Sequence, residues 1–129
     1  MSQENVEIAR RFYEEISRGD HSAALACLAP DVDYSVAQER QPAHGLEAVR
    51  AMWERWLNDW EVIETVAEEF IDAGDHVVVT VHESGRGRGS EIEIDGRYFN
   101  VLTVRDSKIV CKVEFTQRSE ALEAAGLRE

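Results

Sequence analysis

The spacing of apolar residues changes once along the chain, from a helical period to a strand period, and the change falls near Glu61. Before it, Val6, Ala9, Tyr13 and Ile16 recur at helical spacing with Phe12 beside them. Ser2 caps this first helix, Glu4 occupies its first turn and Gly19 ends it. Asp20 then caps a short second helix, with Ala24, Leu25 and Leu28 on its apolar side and Pro30 as its stop. Asp31 to Val36 alternates as a short strand, placing Val32, Tyr34 and Val36 on one face. The polar stretch Ala37 to His44, which contains Pro42, predicts a loop. Gly45 opens a third helix, where Leu46, Val49, Trp53, Trp56 and Trp60 form a broad apolar stripe completed by Met52 and Leu57. Trp53, nearest the middle of that stripe, is the expected pocket wall.

Beyond Glu61 the pattern is β as far as Gln117. Glu61 to Asp72 carries Val62, Ile63, Val66, Phe70 and Ile71 among acids, and its alternation slips once, which predicts a bend or bulge. Ala73-Gly74-Asp75 is a turn. His76 to Ser84 follows, with Val77, Val79 and Val81 on one face and His76, Val78, Thr80 and His82 on the other. Gly85-Arg86-Gly87-Arg88-Gly89-Ser90 breaks this strand. A phosphate-cradling loop would have to lead into a helix, whereas β-type Ile92 and Ile94 come next, so the segment predicts a hairpin connection or a basic rim over a cavity mouth. Arg97 to Val104 and Lys108 to Thr116 are two more strands, joined by a tight turn at Asp106-Ser107. Ser119 caps a closing helix, Glu120 to Ala125, stopped by Gly126.

Composition removes several classes of function. The 129 residues suit one domain over 1–129, with 43% hydrophobic residues for a core. Twenty-six acidic against fourteen basic residues give a formal charge of −12, which disfavours nucleic acid and anionic membrane surfaces as partners. No apolar run approaches the ~20 residues that span a bilayer, and Met1 to Ile16 mixes charge with apolar positions, so a cytoplasmic protein is expected. Cys27 and Cys111 lack metal-ligand spacing and read as buried or half-buried thiols. His21, His44, His76 and His82 include no pair at i and i+4, so neither a metal nor another cofactor is expected.

Helix, helix, short strand, helix and then four long strands is the order of the cystatin-like α+β cone. Phe12 through Asp20 (FYEEISRGD), Leu28-Ala29-Pro30-Asp31-Val32, Gly45 through Trp53 (GLEAVRAMW) and Val104 through Val110 (VRDSKIV) resemble the nuclear-transport-factor-2-like (NTF2-like) superfamily. The GRGRGS segment and the ending Glu120 through Leu127 (EALEAAGL) resemble its SnoaL-like, polyketide-cyclase-like branch. The resemblance covers nearly the whole chain. It implies three N-terminal helices packed on a curved, mainly antiparallel sheet, and a homodimer. Relatives of the ketosteroid-isomerase type carry a tyrosine on the first helix, a carboxylate base ending the first strand and a protonated acid on a later strand. By spacing those positions fall on Phe12, Val36 and Asn100, which argues against steroid-type isomerisation here. Many SnoaL-like relatives carry an aspartate after the last strand, where this chain has Gln117.

The resemblance turns Asn100 inward, and alternation then gives Tyr98, Asn100 and Leu102 as one interior row. The other expected rows are Thr80, His82 and Ser84, then Val110, Lys112 and Glu114, with Tyr34 and Val36 from the first strand. On this register His82 is the proton-transfer group, Glu114 orients it or acts as the base, and Asn100 helps bind a substrate oxygen. Tyr34, Trp53, Tyr98, Leu102 and Lys112 complete the substrate contacts. The plainer alternatives are a hydrogen-bonded strand histidine, a Lys112–Glu114 pair at a solvated sheet end and a core Tyr34.

Two functions follow. One is a cofactor-independent acid–base enzyme, of isomerase, cyclase, hydrolase or dehydratase type, acting on a small apolar or aromatic carbonyl or hydroxyl compound. The other is a noncatalytic ligand-binding or dimerising domain. Phe99, Val101, Thr103, Val113 and Phe115 give the outer sheet face an apolar character that a second copy could cover.

Overall fold

Among the described residues, 2–36 and 41–127, the computed structural model of the chain has four helices and six strands. Helix α1 (Ser2–Ser17) buries Ala9, Phe12 and Tyr13, the stripe its periodicity marks. Helix α2 (His21–Leu25) begins where the Asp20 side chain accepts the Ala23 backbone N–H at 3.0 Å. The helix ends before Leu28, and strand β1 (Leu28–Tyr34) starts earlier than the pattern indicates. Pro30 therefore lies inside a strand instead of stopping a helix. It is tolerated because the β1 register shifts between Leu28 and Asp33, so no regular ladder bond is required of it.

Strand β2 (Ala43–His44) pairs with the end of β1 in the stretch expected to be loop; residues 37–40 of that stretch lie outside the described residues. Helix α3 (Leu46–Asn58) follows Gly45, whose φ of 88° suits glycine alone among common residues. Trp60 is not on this helix. It is the first residue of β3 (Trp60–Ala73), where its ring lies 5.1 Å from that of Trp56. The remaining elements are β4 (His76–Gly87), β5 (Glu93–Arg105), β6 (Lys108–Phe115) and α4 (Arg118–Ala124).

The strands form one sheet in the order β2-β1-β6-β5-β4-β3, antiparallel except where β1 runs parallel to β6. Strand β3 slips register between Ala67 and Glu69, the bulge its interrupted alternation predicts. Asp106 and Ser107 have φ of 50° and 64°, the twist a two-residue hairpin needs between β5 and β6.

Strand β4 does not break at Gly85 but continues to Gly87. Gly85 answers a steric demand, since a Cβ there would stand 2.4 Å from the Val62 carbonyl oxygen. Arg88, at the tip, donates to the carbonyls of Asn58 and Trp60, each at 3.1 Å, and so fastens the hairpin to the α3–β3 corner. The segment is a clamp on backbone carbonyls, not a phosphate cradle.

Two apolar clusters cover the two sheet faces. On the concave face Val77, Val79, Val81, Leu102 and Ile109 pack against Phe12, Tyr13 and Val49 of the helices. On the convex face Val78 and Val101 pack under Ala121, Leu122 and Ala125 at the C-terminal helix, with Phe99 and Phe115 at the margin. Part of the outer cover attributed to a second copy is thus supplied by the chain itself. No helix among the described residues is long and apolar enough to cross a membrane.

Candidate functional site

Helices α1, α2 and α3 stand off the concave face and leave a cavity of about 970 Å³. Its position follows from strand parity. Val77, Val79 and Val81 of β4 all point into the core, which makes Glu83 the next inward residue. Strand β5 contributes Tyr98 and Asn100, and β6 contributes Lys112 and Glu114. Asn100 stands opposite Glu114 across the β5–β6 ladder, and Tyr34 stands opposite Lys112 across β1–β6. Four strands therefore deliver their polar side chains to one floor.

The floor is polar, buried and only partly satisfied. The Asn100 residue is 3% exposed; its Nδ2 donates to the Tyr13 hydroxyl at 2.9 Å, while its Oδ1 has no partner. An unpaired buried amide oxygen costs about 1–3 kcal/mol, which a hydrogen-bond donor entering the cavity would recover. Lys112 is also 3% exposed. Its Nζ lies 3.7 Å from Glu114 Oε1, donates to the Ser35 carbonyl at 3.2 Å and sits 4.4 Å from the centre of the Tyr34 ring. Glu83 accepts from the Thr65 hydroxyl at 3.2 Å.

Burial sets the acid–base character of this group. It raises the Glu83 carboxyl above its usual value, and the neighbouring Glu114 charge adds to the rise, against the opposing pull of Lys112 and the Thr65 bond. Burial also lowers the Lys112 ammonium, opposed by both glutamates. The acid and the base are pushed toward neutrality together, the condition for proton exchange between them. Tyr13 and Tyr34 are both raised, chiefly by burial, so each is a neutral hydroxyl donor and not a phenolate.

The walls are aromatic and aliphatic: Trp53 and Trp56 from α3, Tyr34 and Val36 from the β1 end, and Ile63 from β3. Trp53 packs edge-on to Tyr34, with ring centres 5.8 Å apart. A flat apolar ligand would be sandwiched here with its polar end on the floor.

The SnoaL-like domain signature matches the chain over residues 9–112. The protein belongs to the SnoaL-like domain family. Solved structures agree on the fold of this SnoaL-like domain. An NTF2-like protein of Burkholderia thailandensis is 26% identical with a TM-score of 0.79, over 87% of this chain and 89% of that one. A protein of Jannaschia sp. CCS1 described as a SnoaL-like polyketide cyclase is 22% identical with a TM-score of 0.78, over 96% and 92%. A Catenulispora acidiphila protein of ketosteroid isomerase-like fold, solved with trimethylamine, is 20% identical with a TM-score of 0.77, over 94% and 93%. No curated protein matches the sequence.

Within this SnoaL-like domain, Tyr34, Trp53, Tyr98, Asn100, Lys112 and Glu114 line the cavity as the sequence indicates. His82 does not. It lies on the convex face, bonded through Nε2 to Asp95, with Thr80 and Ser84 on the same outward row. The three valines of β4 bury more apolar area than that row and decide the parity. Leu102 is fully buried in the core and does not reach the cavity. Ile109, not Val110, fills the β6 row, because the ladder shifts between Thr103 and Val104.

Glu83 and Tyr13 join this floor without a local sequence signal that marks them as polar site residues. Glu83 follows directly once Val77, Val79 and Val81 are placed inside. Tyr13 belongs to the apolar stripe of α1, yet it, and not Phe12, presents the helix hydroxyl to Asn100. Phe12 is buried in the core. Val36 does line the cavity, so the first strand brings no carboxylate at that point.

Proposed function

We propose that the cavity binds a small apolar or aromatic carbonyl or hydroxyl compound and moves a proton on it without a cofactor. The observation that carries this is the half-buried Glu83 with the Lys112–Glu114 pair, beside an Asn100 oxygen with no partner. Because Asn100 donates to the Tyr13 oxygen, the Tyr13 proton is free to bond a substrate oxygen, and Asn100 Oδ1 accepts from a substrate hydroxyl. Glu83 is the proton-transfer group, taking the role first assigned to His82. Its raised pKa suits both the removal of a proton beside a carbonyl and its return.

The test needs no knowledge of the natural substrate. A panel of aryl and cyclic ketones in D2O, followed by NMR, reads exchange at the carbon next to the carbonyl. Exchange above the buffer rate that falls about 100-fold or more in Glu83→Gln supports the reading. Ligands that quench the cavity tryptophans without any exchange favour the second reading, a noncatalytic binding domain, to which the aromatic walls are equally suited. A homodimer over the rest of the convex face, around Val113 and Phe115, belongs to the same proposal. Sedimentation equilibrium that gives a monomer at every concentration removes it.

A further inference from the structure

The chain is rich in arginine but contains two lysines, Lys108 and Lys112. Lys108 is exposed beside the β5–β6 turn, with its ammonium on the Ala26 carbonyl. Lys112 is buried, lines the cavity floor and has a carboxylate 3.7 Å away. An arginine in that place would hold a permanent charge, and a lysine is the cationic side chain that can lose its proton inside a protein. Desolvation favours that loss here.

We propose that Lys112 is a nucleophile that forms a Schiff base with a carbonyl compound bound in the cavity. The proposal deepens the reading of the cavity as a small-molecule site and rests on it. Glu114 accepts a proton from the Lys112 ammonium, freeing the nitrogen lone pair. The amine nitrogen bonds to the carbonyl carbon while the carbonyl π electrons move to oxygen, which takes a proton from Glu83; the nitrogen, now positively charged, gives one of its two protons back to the Glu83 carboxylate and regains its lone pair. The resulting amino alcohol gives up its hydroxyl as water, the proton for which comes from Glu114. The nitrogen lone pair closes the C=N bond and leaves a protonated imine. The net change is one ammonium and one carbonyl converted to one iminium and one water, with no oxidant or reductant required.

Tyr13 and Asn100 sit on the same floor and bond the second oxygen of a 1,3-dicarbonyl or hydroxy-carbonyl compound. The class of compound favoured is therefore an apolar or aryl carbonyl with a further oxygen two carbons away.

The test uses 1-phenylbutane-1,3-dione with the intact protein. A lysine that attacks it yields a stable conjugated enaminone and water, seen as a new near-ultraviolet band and as a mass increase. Digestion with trypsin separates the two lysines, because a modified lysine is not cut: labelling at Lys112 leaves residues 109–118 joined, and labelling at Lys108 leaves 106–112 joined. The expected result is labelling of Lys112 roughly ten times faster than of Lys108, and no fast phase in Lys112→Arg. Quenching of the cavity tryptophans by the diketone with no label, or with equal slow label on both lysines, overturns the nucleophile and leaves the binding site standing. No quenching and no label overturns the reading of the cavity together with the proposal. Both decisive outcomes come from the unmodified sequence, so a misfolded variant does not blur them.

Discussion

At the level of single residues, the cavity floor places charge where apolar contacts would be more stable. Glu83 illustrates the sign. Its carboxyl titrates higher in the folded chain than in the unfolded one, so its contribution to stability is full below the unfolded value of about 4.5 and is lost as pH rises through the folded value. Glu83→Gln is therefore expected to melt a few degrees above the wild type at pH 8, with the gap closing toward pH 4, as scanning calorimetry would record. Lys112→Met acts in the opposite direction. It leaves Glu114 and Glu83 without their cation, and a loss of about 3–5 kcal/mol is expected in urea denaturation at pH 8. His82→Ala, by contrast, should leave ligand-induced quenching of the cavity tryptophans unchanged, because the imidazole is bonded to Asp95 on the other side of the sheet. A weakened ligand response in that variant would contradict the parity that puts Glu83 inside.

Among the elements, legibility tracked how many faces of each were apolar. Helix α1 has one buried stripe, and its extent and orientation could be read from Val6, Ala9, Tyr13 and Ile16. The bulge in β3 was legible as well, since Ile63 and Phe70, an odd number of residues apart, cannot share one face of a regular strand. Strand β4 was ambiguous for a physical reason: α4 covers its outer side, so Val78 is as buried as Val77 and Val79, and alternation loses its contrast. Seeking polar residues for a pocket then favoured His82, whereas the larger apolar sum favoured the valines. Strands β5 and β6 carry polar letters on one face, and Asn100, Lys112 and Glu114 on that face line the cavity. The GRGRGS segment was opaque because Gly85 relieves a contact with Val62, a residue of another strand that no local pattern reveals. Gly85→Ala should force β3 and β4 apart and cost roughly 1–3 kcal/mol in a denaturation midpoint, whereas alanine at Gly96, where nothing stands within 4 Å of the added carbon, should cost far less.

For the molecule as a whole, the formal charge of −12 acts on every element at once. Self-repulsion of that size should make the melting temperature climb with added sodium chloride until the Debye length falls to about 3 Å near 1 M. The parallel contact of β1 with β6 has another effect. Strand β6 is made late but lies inside the sheet, between β1 and β5. On a ribosome, residues 28–34 have only the two-residue β2 beside them, their other edge is bare, and β5 keeps a bare edge too until residues 108–115 have emerged. A chain interrupted after Arg105 would expose both at the same time, making it a substrate for chaperones and proteases. The order of synthesis thus postpones closure of the cone until nearly all of the polypeptide is available, and stalled translation would be harmful out of proportion to the few residues missing.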